Sequence, residues 1–212
     1  MAVTEIVLAV VLFLGMEACL YLYLDSPKRG SLFWKACATL MPVLLCLFGS
    51  VRSGGEHYLL LAALCVCLIS DVLIGIHFVS GVLSFLTAHI LLMVYLVRQA
   101  PPTLWSLLPW AVLYGLLWLY YGKEIPTLGK RAVPMCLYPA FLFGMFSLAA
   151  ALPFLRPGPS SVCLALGAAC FCVSDMVLGD GVVHEKQSRL RDHVIMHLYE
   201  PAVFLFALST IW

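Results

Sequence analysis

The sequence predicts an all-α fold: a polytopic membrane bundle of about eight transmembrane helices, arranged as two parallel four-helix repeats. Three observations lead there. Of 212 residues, 63% are hydrophobic and only 11% are charged, with a mean hydropathy of +1.03; a soluble domain holds about 45–50% apolar and about 25% charged residues. Apolar runs of about 20 residues, long enough to cross a bilayer, recur along the chain between turn-forming stretches. The second half also echoes the first at a fixed offset. The chain is therefore expected to form a single integral membrane domain over 1–212, without a soluble appendage. A net charge of +1 leaves no basic footprint for nucleic acid.

Taken in order, span one covers 4–24; the first basic residue is Lys28, so the N-terminus lacks the charged region of a signal peptide and the run is read as a true span. "DSPKRG" separates it from span two, 34–51, which opens on Lys35. "RSGGEH" leads into span three, 58–76, and "HFVSG" into span four, 80–97, which carries His89. "RQAPP" precedes span five, 104–121. "GKEIPTLGKR" precedes span six, 132–153, where Tyr138 lies between Pro134 and Pro139. "PFLRPGPSS" introduces span seven, 161–179, and "GDGVVHEKQSR" span eight, 190–212. Spans three and four nearly touch, so a seven-span reading is the alternative. The nine cysteines show no CxxC or zinc-type spacing and read as buried free thiols.

Lys and Arg set the orientation. Lys28, Arg29, Lys35, Lys123, Lys130, Arg131, Lys186, Arg189 and Arg191 fall on one side, and Arg52, Arg98 and Arg156 on the other. Nine against three assigns the first side to the cytosol. The repeat has an offset of 104 residues, at which Ser70, Asp71, Gly75, His89 and Tyr95 meet Ser174, Asp175, Gly179, His193 and Tyr199. This divides the chain at about 1–103 and 104–212. Four spans per repeat make the halves parallel, related by an axis along the membrane normal.

Asp71 and Asp175 are the centre of the functional reading. A carboxylate inside an apolar span is costly and marks a functional site by default; joining helices by hydrogen bonds is the bland alternative. At about 1.5 Å rise per residue, Asp71 lies roughly 8 Å from the cytosolic end of span three, with Asp175 at similar depth and His89 roughly 13 Å deep. The two carboxylates are expected to share a cavity in the cytosolic half. Two carboxylates in a dry cavity do not both ionise easily, so one can serve as an acid while the other serves as a base or stabilises a cation. That equipment suits acid-catalysed hydrolysis through an oxocarbenium-like state. Lys35 reads equally as a phosphate holder or as a snorkelling anchor. Tyr138 reads as cavity lining or as a bundle tyrosine. Glu5 is expected at the interface, and Glu17 and Glu200 as polar glue or cavity lining. Gly75 and Gly179 leave room, one turn beyond each Asp, for a ligand or a neighbouring helix. His193 and His197, four apart, suggest a metal pair that Asp71 and Asp175 would complete. No GxSxG, P-loop or dinucleotide fingerprint occurs.

"KACATLMPVLL", "SDVLIG", "LTAHILLMVYL", "PMCLYPAFLFGM" and "VSDMVLG" together resemble the YhhN-like lysoplasmalogenase family, over spans two to eight. The resemblance implies an eight-span ether hydrolase acting on the vinyl ether bond of lysoplasmalogens, the alkenyl-glycerophosphoethanolamines and -cholines. Its products are a fatty aldehyde and glycerophospho-ethanolamine or -choline. It implies that Asp71 and Asp175 are catalytic, with Lys35, Ser70, His89, Tyr138, Ser174 and Tyr199 binding substrate or supporting them. The chain departs from the pattern in span eight, where a Gln is expected near Val203 and "HLYEPAV" has none. The chemistry needs no metal or cofactor. The partners are then the lysophospholipid substrate and the lipid bilayer, with a homo-oligomer left open. The expected location is the endoplasmic reticulum membrane if the source is eukaryotic. Two other classes use the same residues: a proton-coupled small-solute transporter built on the Asp pair, and a zinc-dependent membrane lipid hydrolase built on His193 and His197. A purely structural membrane protein is the remaining alternative.

Overall fold

A computed structural model describes residues 3–25, 31–125, 129, 132–186 and 188–212. Lys28, Arg29, Lys130 and Arg131, which entered the charge count, lie outside these residues. The described chain consists of eight long helices and no strand: α1 (Val3–Leu24), α2 (Leu32–Arg52), α3 (Tyr58–Ile76), α4 (Phe78–Gln99), α5 (Leu104–Tyr121), α6 (Ala132–Leu155), α7 (Pro159–Val183) and α8 (Arg189–Leu208). A 3₁₀ turn, Ser209–Ile211, follows α8. All eight helices are long and apolar enough to cross a membrane, so the protein is an integral multi-pass membrane protein.

Local chemistry explains the breaks. Only His77 separates α3 from α4, and its Nδ1 caps α4 by accepting from the Ser80 N–H at 3.3 Å. That single extended residue keeps the two spans distinct. Thr103 and Ser106 form a capping box at the start of α5, and Ser188 caps α8 through the Arg191 N–H at 3.2 Å. Pro42, Pro109, Pro139, Pro153 and Pro201 lie inside helices, as bundled membrane helices allow. One boundary departs from expectation. "GDG" at 179–181 reads as a turn, yet α7 runs through it to Val183. Asp180 accepts from Tyr121 Oη and Arg191 Nη2, each at 2.9 Å, and these tertiary bonds hold the helix against its local turn chemistry. Asp175 is therefore two turns from the end of its helix, not one.

The helices pack in a repeated order. Successive helices α1 to α4 are neighbours, as are α5 to α8; across the halves α4 packs on α6, and α8 packs on α2. The most enclosed helix is α8, with 61% of its span buried, against 17% for α1 and for α5. Those two outer helices turn Val7, Leu14, Leu116 and Leu119 outward, as lipid-facing surfaces do.

Where α2 meets the 3₁₀ turn the backbones approach closely. A side chain at Gly49 would overlap Thr210 and stand 3.1 Å from the Thr210 carbonyl oxygen. Gly49→Ala is expected to cost about 1–3 kcal/mol through forced separation of these elements. The measurement is the melting temperature of purified protein, and an unchanged value would contradict this close approach.

Candidate active site

The site lies where the C-terminal ends of α3 and α7 meet the N-terminal halves of α2, α4 and α8. A cavity of about 960 Å³ opens there, lined by Lys35, Asp71, Gly75, Ser174, Asp175 and Tyr199 among others. Ile74, Phe78, Val79, Leu178, Val182 and Ile195 add an apolar wall. Glu185, Lys186, Arg191 and Asp192, from the α7–α8 connection and the start of α8, also line it. The two carboxylates expected to share a cavity do so.

Their surroundings differ. Asp71 is 1% exposed. Its Oδ1 faces the Lys35 ammonium at 3.0 Å. Its Oδ2 accepts from Thr39 Oγ1 at 2.6 Å and Tyr199 Oη at 2.7 Å. Lys35 and Thr39 are four residues apart, so one face of α2 presents both to α3. Lys35 is thus neither a snorkelling anchor nor free for a phosphate: it is 8% exposed and paired, because a buried ammonium requires a counter-charge. Asp175 has a less charged environment. Its Oδ2 accepts from the Tyr138 hydroxyl, and His89 Nε2 stands 3.6 Å away, beyond a direct hydrogen bond. His89 is fully buried, its ring packed on Tyr138 at 5.1 Å and Phe171 at 5.0 Å between centroids. Phe171 also meets the Tyr199 ring at 5.2 Å, so one aromatic cluster supports the partners of both carboxylates.

Each half also lends a side chain to the other half's carboxylate. His89 of α4 lies beside Asp175 of α7, and Tyr199 of α8 bonds Asp71 of α3. The residues 104 positions from them in the sequence, His193 and Tyr95, are used elsewhere. His193 Nε2 faces Asp25 at 3.4 Å, and Tyr95 bonds His57 Nδ1 at 2.9 Å. His57 precedes α3, and burial lowers its pKa, which suits a neutral acceptor for the Tyr95 hydroxyl. The matched serines stitch neighbouring helices: Ser70 Oγ donates to the Val66 carbonyl and lies 2.7 Å from Ser84 Oγ on α4, and Ser174 Oγ donates to the Ile195 carbonyl on α8. Gly75 admits Leu32 of α2 into close contact, whereas a side chain at Gly179 would meet only Met135, at 3.8 Å.

His193 and His197 stack at 5.9 Å between ring centroids. Among the described residues, no three His, Cys, Asp or Glu side chains converge as metal ligands. Glu5, expected at an interface, is 3% exposed and paired with Arg52. Thr39 and the Asp180 clamp escaped the sequence reading. The spacing from Lys35 to Thr39 was the available signal for the first. For the second, Asp180 resembled ordinary turn chemistry and Arg191 only an orientation charge.

The YhhN family is the family whose model matches, over residues 30–210. No curated protein and no solved structure matches the chain.

Proposed function

We propose, from the premise that this chain belongs to the YhhN family, that it is a lysoplasmalogenase: an ether hydrolase that cleaves the vinyl ether bond of lysoplasmalogens to a fatty aldehyde and a glycerophospho-ethanolamine or -choline. The observation that carries this reading is one cavity lined by two carboxylates with unlike partners. Asp71 has the partners of an anion, namely an ammonium and two hydroxyl donors. Asp175, with a tyrosine and an imidazole, is the acid.

Asp175 gives its proton to the double-bond carbon not bonded to the ether oxygen, and the electrons of the double bond form the new C–H bond. The adjoining carbon and the ether oxygen share the positive charge as an oxocarbenium ion, which the Asp71 carboxylate stabilises. Water adds to that carbon, and Asp71 takes its proton. The hemiacetal then collapses. Its hydroxyl returns a proton to Asp175, the C–O bond to glycerol breaks, and Asp71 protonates the departing oxygen. Both carboxyl groups end as they began. The alkenyl chain lies along the wall of Ile74, Phe78, Val79, Leu178 and Val182, and the phosphate lies at the mouth near Lys186. His89 and Tyr138 orient Asp175, and Lys35 and Tyr199 orient Asp71.

The purified protein, incubated with alkenyl-glycerophosphoethanolamine, should release fatty aldehyde with or without a strong chelator. Transport of a solute without bond cleavage, or aldehyde release restored only by zinc, would overturn the reading. In a eukaryotic cell the expected site of action is the endoplasmic reticulum membrane, with the cavity opening toward the cytosol.

A further inference from the structure

Beside Asp71 lies a third buried carboxyl group that the mechanism does not use. Glu200 of α8 has no exposed surface, and among the described residues its Oε2 has no hydrogen-bond partner. Its Oε1 lies 3.1 Å from Thr39 Oγ1. The same Thr39 oxygen lies 2.6 Å from Asp71 Oδ2 and 3.3 Å from the Lys35 carbonyl. A threonine hydroxyl has one proton to give and two lone pairs to receive with, so it cannot donate to all three oxygens. The shortest contact takes the proton, which makes Asp71 the acceptor. Glu200 can then hydrogen-bond to Thr39 only by donating, and a carboxyl group donates only when protonated.

The charges around Glu200 point the same way. The ionisable groups that interact electrostatically with it are Glu17 and Cys19 from α1, Lys35 from α2, Cys67 and Asp71 from α3, and Tyr199 on its own helix. Lys35 is the single cation in this set, and its Nζ is 3.0 Å from Asp71 Oδ1. A second carboxylate would be buried without a counter-charge, and its Oε2 would be an unpaired anionic oxygen; in a neutral acid that atom is only an unpaired carbonyl, which costs far less. Asp71 cannot exchange roles with Glu200, because Asp71 has both the ammonium and the Tyr199 hydroxyl.

We propose that Glu200 is a neutral carboxylic acid that positions Asp71 through a two-bond chain: Glu200 donates to Thr39 Oγ1, and Thr39 donates to Asp71 Oδ2. Without the Glu200 donor, the Thr39 hydroxyl is free to turn toward the Lys35 carbonyl, and Asp71 loses one of its hydrogen bonds. The effect on turnover rests on the role given to Asp71 above; the protonation of Glu200 does not.

Infrared difference spectroscopy in lipid bilayers at neutral pH tests the chain directly. In an Asp175→Asn background, which removes the proton assigned above to the acid, the carbonyl band of a protonated carboxylic acid should be present and should vanish when Glu200→Gln is added. Thr39→Val should move that band to higher frequency by removing its hydrogen-bond acceptor. Loss of carboxylate bands instead in Glu200→Gln would overturn the proposal, whatever the protein's activity. Kinetics add a second arm. Glu200→Leu should lower kcat about three- to tenfold, the worth of one hydrogen bond, with KM little changed. Glu200→Gln, whose amide still donates to Thr39, should restore most of that rate. The Thr39→Val/Glu200→Leu double variant should be no slower than Thr39→Val alone, and additive losses would argue against the chain. Absence of aldehyde release in the wild type would count against the proposed activity and leave the infrared result to decide the state of Glu200.

Discussion

Asp175→Asn is expected to cut aldehyde release by about 10²–10⁴-fold, the range for loss of a general acid, while leaving the protein folded. Asn keeps the size of Asp, and its amide oxygen still accepts from the Tyr138 hydroxyl that bonds Asp175 Oδ2. What it lacks is an acidic proton to give to carbon. His89 cannot substitute, since it stands 3.6 Å from the carboxylate and is fully buried among aromatic rings. If Asp175 only joins helices, Asn should serve nearly as well. The measurement is aldehyde release by the purified variant, alongside its melting temperature and elution profile. A variant that keeps more than about a tenth of the activity, a smaller loss than acid–base residues show, would remove Asp175 from the mechanism.

Lys35→Met should affect both stability and rate. The Lys35–Asp71 pair is buried, with side-chain exposures of 11% and 1%. Removing one partner of such a pair leaves an uncompensated charge and costs about 3–5 kcal/mol. The melting temperature should fall accordingly, and turnover should fall because Asp71 is no longer held as an anion. Adding Asp71→Asn to Lys35→Met should recover much of the stability, since the buried charge is gone, and none of the activity. This recovery separates an internal counter-ion from an interfacial anchor. An anchor could be replaced at little cost, and the second substitution would then add to the first rather than offset it.

The eight spans were legible because hydrophobic length alone determines them. In a bilayer each backbone polar group must be satisfied within its own helix, so about 20 apolar residues between turn signals suffice, whatever the neighbours. The Asp pair was legible for a related reason. A carboxylate among Leu, Ile and Val stands out where desolvation is costly, and Asp71 and Asp175 stand in matching surroundings within their spans. Spacing along one helix was readable too, as Lys35 and Thr39 show. Spacing across helices was not, and there the tertiary structure decided. It turned Lys35 inward to Asp71 rather than outward to the interface, and it gave Asp71 its Tyr199 bond from the far half of the chain. It placed His89, rather than its counterpart His193, beside Asp175, and it carried α7 through a sequence that locally favours a turn. The physical reason is common to all four. A polar side chain takes whichever partner the packing of separate helices brings near it, and no pattern within a single helix records that choice.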